Sequence, residues 1–391
     1  MLRPYWDIPS LLLYILMAFI GVIYVNCALK NTSYRSGKGN TFRNPFYFFI
    51  ISVWTLLAVF RSVKDGVGGT DTGEYIYFFK NCRGSYDLMM EHIASDLLFK
   101  WINQGVRLFT DDYHLYFLLV YGFIAYSFIT FIRRFCSNIS NILPVLMVFY
   151  LYLRGFNTLR TNLCIAFILL GLTCIANKKY FSAYLLLICT FLTHKSGLLF
   201  GLIIPYSHIL NNYRINKRYI IAASIPLFII ATGIRDYFIE FASMNDLGGA
   251  YGAYVSQAKE NNTLLSGVIE CFMQYVLVAI IILFSNKIIK VSHRYGNRVS
   301  NNIAMLINVC YYDAILIPFN IMMGIWRGYE FYMIPRICMW TYILFFLSKF
   351  FSQNSKTIIN TVYLFVILTW FVFRLNRTYM ASNLMPYIFS F

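Results

Sequence analysis

Long apolar runs recur from one end of the chain to the other, each closed by a short polar stretch. A membrane crossing takes about 20 apolar residues. By that measure the runs predict twelve spans, at 8–29, 45–60, 113–132, 139–153, 159–176, 180–192, 198–210, 219–234, 266–285, 302–323, 335–347 and 357–373. The segment 93–110 differs, because it is amphipathic and carries Asp96, Lys100 and Arg107; it is expected to lie at the membrane interface and not to cross. The pattern therefore predicts an all-α polytopic integral membrane protein, residues 1–391 forming a single transmembrane domain. Two long connections interrupt it, 61–113 and 235–265, and both are expected outside. No internal repeat of the kind that builds transporters from inverted halves is apparent.

The distribution of charge sets the orientation. With the N-terminus outside, the inner connections carry 17 basic residues (Lys30, Arg35, Lys38, Arg43, Arg133, Arg134, Lys178, Lys179, Arg214, Lys217, Arg218, Lys287, Lys290, Arg294, Arg298, Lys349 and Lys356) and no acidic one. The outer connections and the spans hold the other 16 basic residues and all 16 acidic residues, so the positive-inside rule is obeyed throughout. A net charge of +17 on a soluble surface would suggest nucleic acid. Here it marks the inner face of a membrane protein, and no nucleic-acid partner is expected.

Composition sharpens this. Only 13% of the residues are charged and 59% are apolar, against roughly 25% charged in an ordinary soluble domain. With 37 Phe and 32 Tyr beside 22 Gly and 9 Pro, disordered and low-complexity classes are excluded. The first run lacks a basic leader and a small-residue cleavage site and reads as a retained anchor. The nine Cys fall mostly inside spans, with Cys82 in the first long connection, so no disulfide framework is expected.

The candidate chemistry lies in the outer connections. The first begins RSVKDGVGGTDTGEYIYF, and both long connections mix charge with Tyr, Phe and Gly. That mixture suits a sugar, and it equally suits an aromatic belt at the interface. Arg61 closes the second span, Arg154 and Arg160 flank the turn GFNTL, His194 and Lys195 end a span in FLTHKSG, and Arg327 and Glu330 lie in GIWRGYEFY just ahead of Arg336. Ionisable groups at this depth are costly and tend to be functional. Arg160 and Arg336 each open a helix, whose N-terminal amides already favour negative charge, so a cation there points to a shared anion. Guanidinium groups take phosphate oxygens in pairs, which makes a lipid pyrophosphate head group the natural ligand of Arg61, Arg154, Arg160, Lys195, Arg327 and Arg336. The alternatives are snorkelling to water and pairing with Asp or Glu in the same layer.

For a general base the leading residue is His194, which the charge of Lys195 would keep neutral and able to accept a proton. Asp71 and Glu74 are its rivals, and Glu74 and Tyr75 are also placed to meet an acceptor sugar. A structural, hydrogen-bonded His194 is the other reading. Asp313, in YYDAILIP, is expected to be buried and neutral or paired. Walker and Rossmann glycine patterns, paired-Cys zinc spacings and His-Glu-x-x-His are all missing from the sequence, the five His are scattered, and no Asp-x-Asp pair stands ready for a divalent ion. No metal and no cofactor are expected.

Three stretches, Arg61 through Tyr75, GFNTLRTNLCIAFILLGL around Arg160 and FLTHKSGLLF around His194, resemble the Wzy/EpsG class of bacterial polysaccharide polymerases, with a looser likeness at PRICMWTYIL around Arg336. Thr72 stands where that class often has an aromatic residue after the Asp. The resemblance implies a GT-C-like bundle in the bacterial inner (cytoplasmic) membrane, with its catalytic cavity on the external, periplasmic face. It further implies metal-independent inverting transfer of an undecaprenyl-pyrophosphate-linked glycan onto a lipid-linked repeat unit, with membrane lipids and a chain-length regulator protein as partners. A lipid-linked oligosaccharide flippase and an O-antigen ligase are the competing functions. A flippase would carry ionisable groups along a central path, whereas here they gather in one layer.

Overall fold

A computed structural model describes residues 7–30, 44–63, 68–82, 96–136, 142–210, 217–244, 264–322, 328–347 and isolated positions from 352 to 389. Among these residues there are fourteen α-helices, and the only extended pairing is a single antiparallel bridge between Arg61 and Phe389. The chain divides into two compact units, residues 1–201 with 344–391, and residues 202–343.

The first unit contains α1 (Ile8–Lys30), α2 (Pro45–Val59), α3 (Thr72–Asn81), α4 (Leu97–Arg107), α5 (Tyr113–Phe135), α6 (Ile142–Arg154), α7 (Leu159–Ala176), α8 (Tyr180–Thr193) and α9 (Gly197–Phe200). Three helices are long and apolar enough to cross a membrane, at 8–28, 113–135 and 159–176, and α2, α6 and α8 are shorter apolar helices. Local signals set their starts. The Asn44 side chain accepts from the Phe46 amide ahead of Pro45, and Asp112 accepts from the His114 amide at 2.9 Å. That amide bond holds the Asp112 carboxyl below its usual range.

The two ends of this unit are distinct. At one, Arg134 at the close of α5 donates to the Asn177 side chain and to the Ala176 carbonyl, both at 2.8 Å, so a cation meets the C-terminal carbonyls of α7. There the chain turns through Lys178, which has φ 60°, while the Lys179 amide returns to the Cys174 carbonyl in a Schellman arrangement. Arg133 lies over Tyr47 at the start of α2. Two of the six basic connections expected inside, at 133–134 and 178–179, thus meet at this end of the unit.

The opposite end collects the chain terminus. Tyr14 donates to the Leu384 carbonyl, the Tyr387 amide to Ser10 Oγ, the Tyr387 hydroxyl to the Leu57 carbonyl, and the Ser62 amide to the Ile388 carbonyl. The C-terminal residues thus lie against the start of α1 and the end of α2, and partial burial pushes the Tyr387 phenol well up.

The amphipathic segment 93–110 forms α4, whose 11 residues span roughly 16 Å at 1.5 Å per residue, too short to cross. Phe99 and Asn103 point inward, while Leu97, Trp101, Leu108 and Phe109 are exposed, as an interfacial helix requires.

The second unit contains α10 (Ile203–Leu210), α11 (Lys217–Met244), α12 (Leu264–Ser292), α13 (Asn297–Met322) and most of α14 (Met333–Leu347). Helix α13 is its centre, packed by α10, α11, α12 and the turn Gly328–Tyr332. Two expectations need correction. The span at 198–210 is two pieces, broken at Gly201 and Leu202, because Pro205 has no amide to give the Gly201 carbonyl and its ring crowds that position. The second long connection does not open at 235, since α11 continues to Met244; residues 245–263 lie outside the described residues. The last expected span, 357–373, is described only at separate positions.

Candidate functional site

The site begins with two glycines. Gly68 has φ +85° and Gly69 φ +117°, a region that side chains disfavour. A Cβ on Gly69 would also stand 2.6 Å from Thr72 Oγ1 and 2.9 Å from the Phe156 carbonyl. This close approach seats the loop before α3 on the Gly155–Thr158 turn that joins α6 to α7. Thr72 Oγ1 lies 2.6 Å from the Phe156 carbonyl and 3.0 Å from that of Gly68. Asn157 Oδ1 accepts from the Asp71 amide at 2.9 Å and from the Thr70 hydroxyl at 2.6 Å. Asp71 itself is half-buried just before α3, with Glu74 exposed on the first helical turn and Tyr75 buried.

Arg61 lies beneath this junction at 1% exposure. It donates to the carbonyls of Ala58 and Gly68 and, at 2.9 Å, to the Tyr121 hydroxyl, which in turn donates to the Gly155 carbonyl. Its guanidinium carbon stands 4.2 to 4.8 Å from the ring centres of Phe156, Phe117 and Tyr121. Arg61 thus ties together the end of α2, the glycine loop, α5 and the Gly155 turn, from inside an aromatic enclosure.

Arg154 ends α6, half-buried, and its carbonyl accepts from the Thr158 hydroxyl. Arg160 is the second residue of α7 and donates from Nη1 to Asp96 Oδ2 at 2.7 Å; Asp96 is 4% exposed and precedes α4. The Tyr75 phenol is within side-chain hydrogen-bonding reach of Arg160, and its ring meets Phe99 of α4 edge-on.

His194 follows α8 in extended conformation, and Nδ1 accepts from the Ser196 amide at 3.1 Å, with Ser196 Oγ at 2.6 Å from the same nitrogen. A nitrogen that accepts a backbone N–H carries no proton, so the neutral ring is protonated at Nε2, which makes Nε2 a donor. Lys195 is exposed. Cys164, one turn into α7 from Arg160, reaches the Thr190 carbonyl, one turn before His194, so the histidine lies toward the Arg160 end of the unit.

In the second unit Asp313 is fully buried, and one of its oxygens accepts from both Nε and an Nη of Arg336, which is 6% exposed. This is the paired state expected of Asp313, and it gives Arg336 an internal carboxylate. Arg327 lies outside the described residues, and Glu330 is buried in the turn that leads to α14.

The first unit therefore gathers Asp71, Tyr75, Arg154 and Arg160 around one turn, and Arg61, expected as an anion ligand, instead gives its donors to Ala58, Gly68 and Tyr121 and holds that turn from inside. Sequence reasoning missed Asn157, Asp96 and the Arg61 enclosure. For Asp96 a signal existed, an Asp immediately ahead of an amphipathic helix in ASDLLFKW.

Residues 46–389 match the EpsG family. A stretch of 190 residues is 25% identical to the "Amylovoran biosynthesis protein AmsC" of Erwinia amylovora, covering 47% of this chain and 50% of that protein. The chain spans about half the length of this curated relative. No solved structure matches it. With the family match running across most of the sequence and the helical, membrane-type fold, the chain belongs to the EpsG family.

Proposed function

We propose that this protein is a polysaccharide polymerase, an inverting membrane glycosyltransferase that needs no metal and moves an undecaprenyl-pyrophosphate-linked glycan onto a lipid-linked repeat unit. The observation that carries the reading is the seating of the loop that bears Asp71 on the turn that Arg154 and Arg160 flank, through Asn157 and the Phe156 carbonyl. Family membership and the likeness to a protein of amylovoran biosynthesis support an exopolysaccharide role.

In this mechanism an acceptor hydroxyl attacks the anomeric carbon of the donor glycan while the bond to the pyrophosphate oxygen breaks, a single displacement that inverts the carbon. Arg154 and Arg160 meet the charge that develops on the departing pyrophosphate. Asp71 takes the proton of the attacking hydroxyl. In this reading Asp71 takes the base role ahead of His194, and His194, whose Nδ1 accepts from the Ser196 amide, serves as an Nε2 donor toward a substrate oxygen. Arg61 organises the loop that carries Asp71, and the acidic Glu74 faces the acceptor.

The test is the glycan profile of cells lacking the protein. Accumulation of single capped repeat units supports the polymerase. Loss of surface glycan with lipid-linked units held on the cytoplasmic face would indicate a flippase, and full-length polymer left on its lipid carrier would indicate a ligase.

A further inference from the structure

Arg160 is fixed by residues of the first long connection, and this was not legible from its own helix. Asp96, 64 positions earlier, stands almost fully buried with Oδ2 2.7 Å from Arg160 Nη1, and Tyr75 approaches the same guanidinium from α3. Asp96 immediately precedes α4, the helix whose Leu97 and Trp101 remain exposed while Phe99 packs against Tyr75 and Phe78. A guanidinium offers five N–H donors in a rigid plane. Contacts from two neighbours, Asp96 at Nη1 and the Tyr75 phenol, therefore restrict where the rest of the fork points.

We propose that Asp96 is a positioning residue: with Tyr75 it orients the Arg160 guanidinium toward the pyrophosphate of the donor lipid. The reading rests on the polymerase assignment above and adds a part to it. In this role Asp96 acts through Arg160 and not on the substrate itself. A buried carboxylate partner, placed immediately ahead of α4, sets where the donors of Arg160 point. Misplacement of a charge-stabilising group by about 1 Å lowers turnover on the order of 10²-fold, and that is the loss expected when the carboxylate is removed.

The experiment uses the full-length protein in lipid vesicles with lipid-linked repeat units as substrate, and compares Asp96→Asn, Asp96→Glu, Arg160→Ala and the Asp96→Asn/Arg160→Ala double variant. Asp96→Asn should lower kcat on the order of 10²-fold with donor KM little changed, because the lost interaction matters most in the transition state. Asp96→Glu should recover part of the loss. The double variant should be no slower than Arg160→Ala alone, since the two residues act as one unit. Losses that multiply in the double variant, or wild-type kcat in Asp96→Asn, overturn the proposal. If Asp96→Asn does not accumulate, Tyr75→Phe takes its place, with a smaller kcat loss expected and the same absence of additivity with Arg160→Ala. Wild-type turnover by Arg160→Ala would instead remove the pyrophosphate reading of Arg160, a separate failure.

Discussion

His194 shows how a single contact changes the chemistry assigned to a side chain. Its position beside Lys195 suggested a neutral imidazole ready to take a proton. The bond from the Ser196 amide to Nδ1 leaves the proton of the neutral ring on Nε2, which makes Nε2 a donor. Donor and base make different demands on a replacement. Glutamine can donate but cannot accept a proton at neutral pH, so His194→Gln should keep a measurable fraction of turnover while His194→Ala loses the roughly 10²-fold or more typical of a missing polar catalytic group. Equal loss in both variants, measured as kcat with purified protein, would restore the base assignment. At this scale the sequence revealed which ionisable side chains sit in apolar surroundings, because their cost there is a property of residue type. It concealed their partners: Asp96 and Arg160 are separated by 64 positions, and Asp313 and Arg336 by 23, and such pairings are made only by the fold.

At the scale of elements, the glycine loop and the C-terminal segment secure the end of the first unit that carries Asp71. Gly69 and Gly73 provide a matched pair of substitutions. A Cβ at Gly69 would collide with Thr72 Oγ1 and the Phe156 carbonyl at a φ of +117°, whereas a Cβ at Gly73 meets nothing within 4 Å. Gly69→Ala should therefore unseat the Asp71 loop and abolish most polymer, and Gly73→Ala should leave polymer at the wild-type level, both read from glycan ladders at equal protein abundance. Tyr387 secures the C-terminal segment through its amide, its hydroxyl and its ring against Tyr14. Tyr387→Phe deletes only the hydroxyl bond to the Leu57 carbonyl and should cost about 1 kcal/mol, measured as a lower Tm in detergent; an unchanged Tm would show that the bond contributes nothing. The helices themselves were legible because apolar runs and caps such as Asn44 and Asp112 are local signals. The break at Gly201 was signalled by Pro205, but a run that stays apolar across the break conceals it. The docking of Leu384, Tyr387 and Ile388 had no local signature.

For the whole molecule, the charge asymmetry and the geometry of the first unit agree. The basic connections at 133–136 and 177–179 meet at one end of the first unit, and the start of α1 meets C-terminal residues at the other. The twelve-span arrangement expected from the sequence is tested by labelling. On a cysteine-free background, single cysteines at Lys38, Lys179, Arg214 and Arg294 should label only from the cytoplasm, and those at Asp111 and Gly248 only from outside. External labelling at Arg214 would break the twelve-span arrangement.

The most direct test of the polymerase assignment is polymerisation by the purified protein. Given lipid-linked repeat units alone in vesicles with EDTA present, the wild-type protein should build a ladder of lengthened lipid-linked glycans and release one undecaprenyl pyrophosphate per linkage formed. Asp71→Asn should form neither product. Repeat units that cross the vesicle membrane without lengthening, or a ladder that grows equally well in the Asp71→Asn protein, would contradict the account.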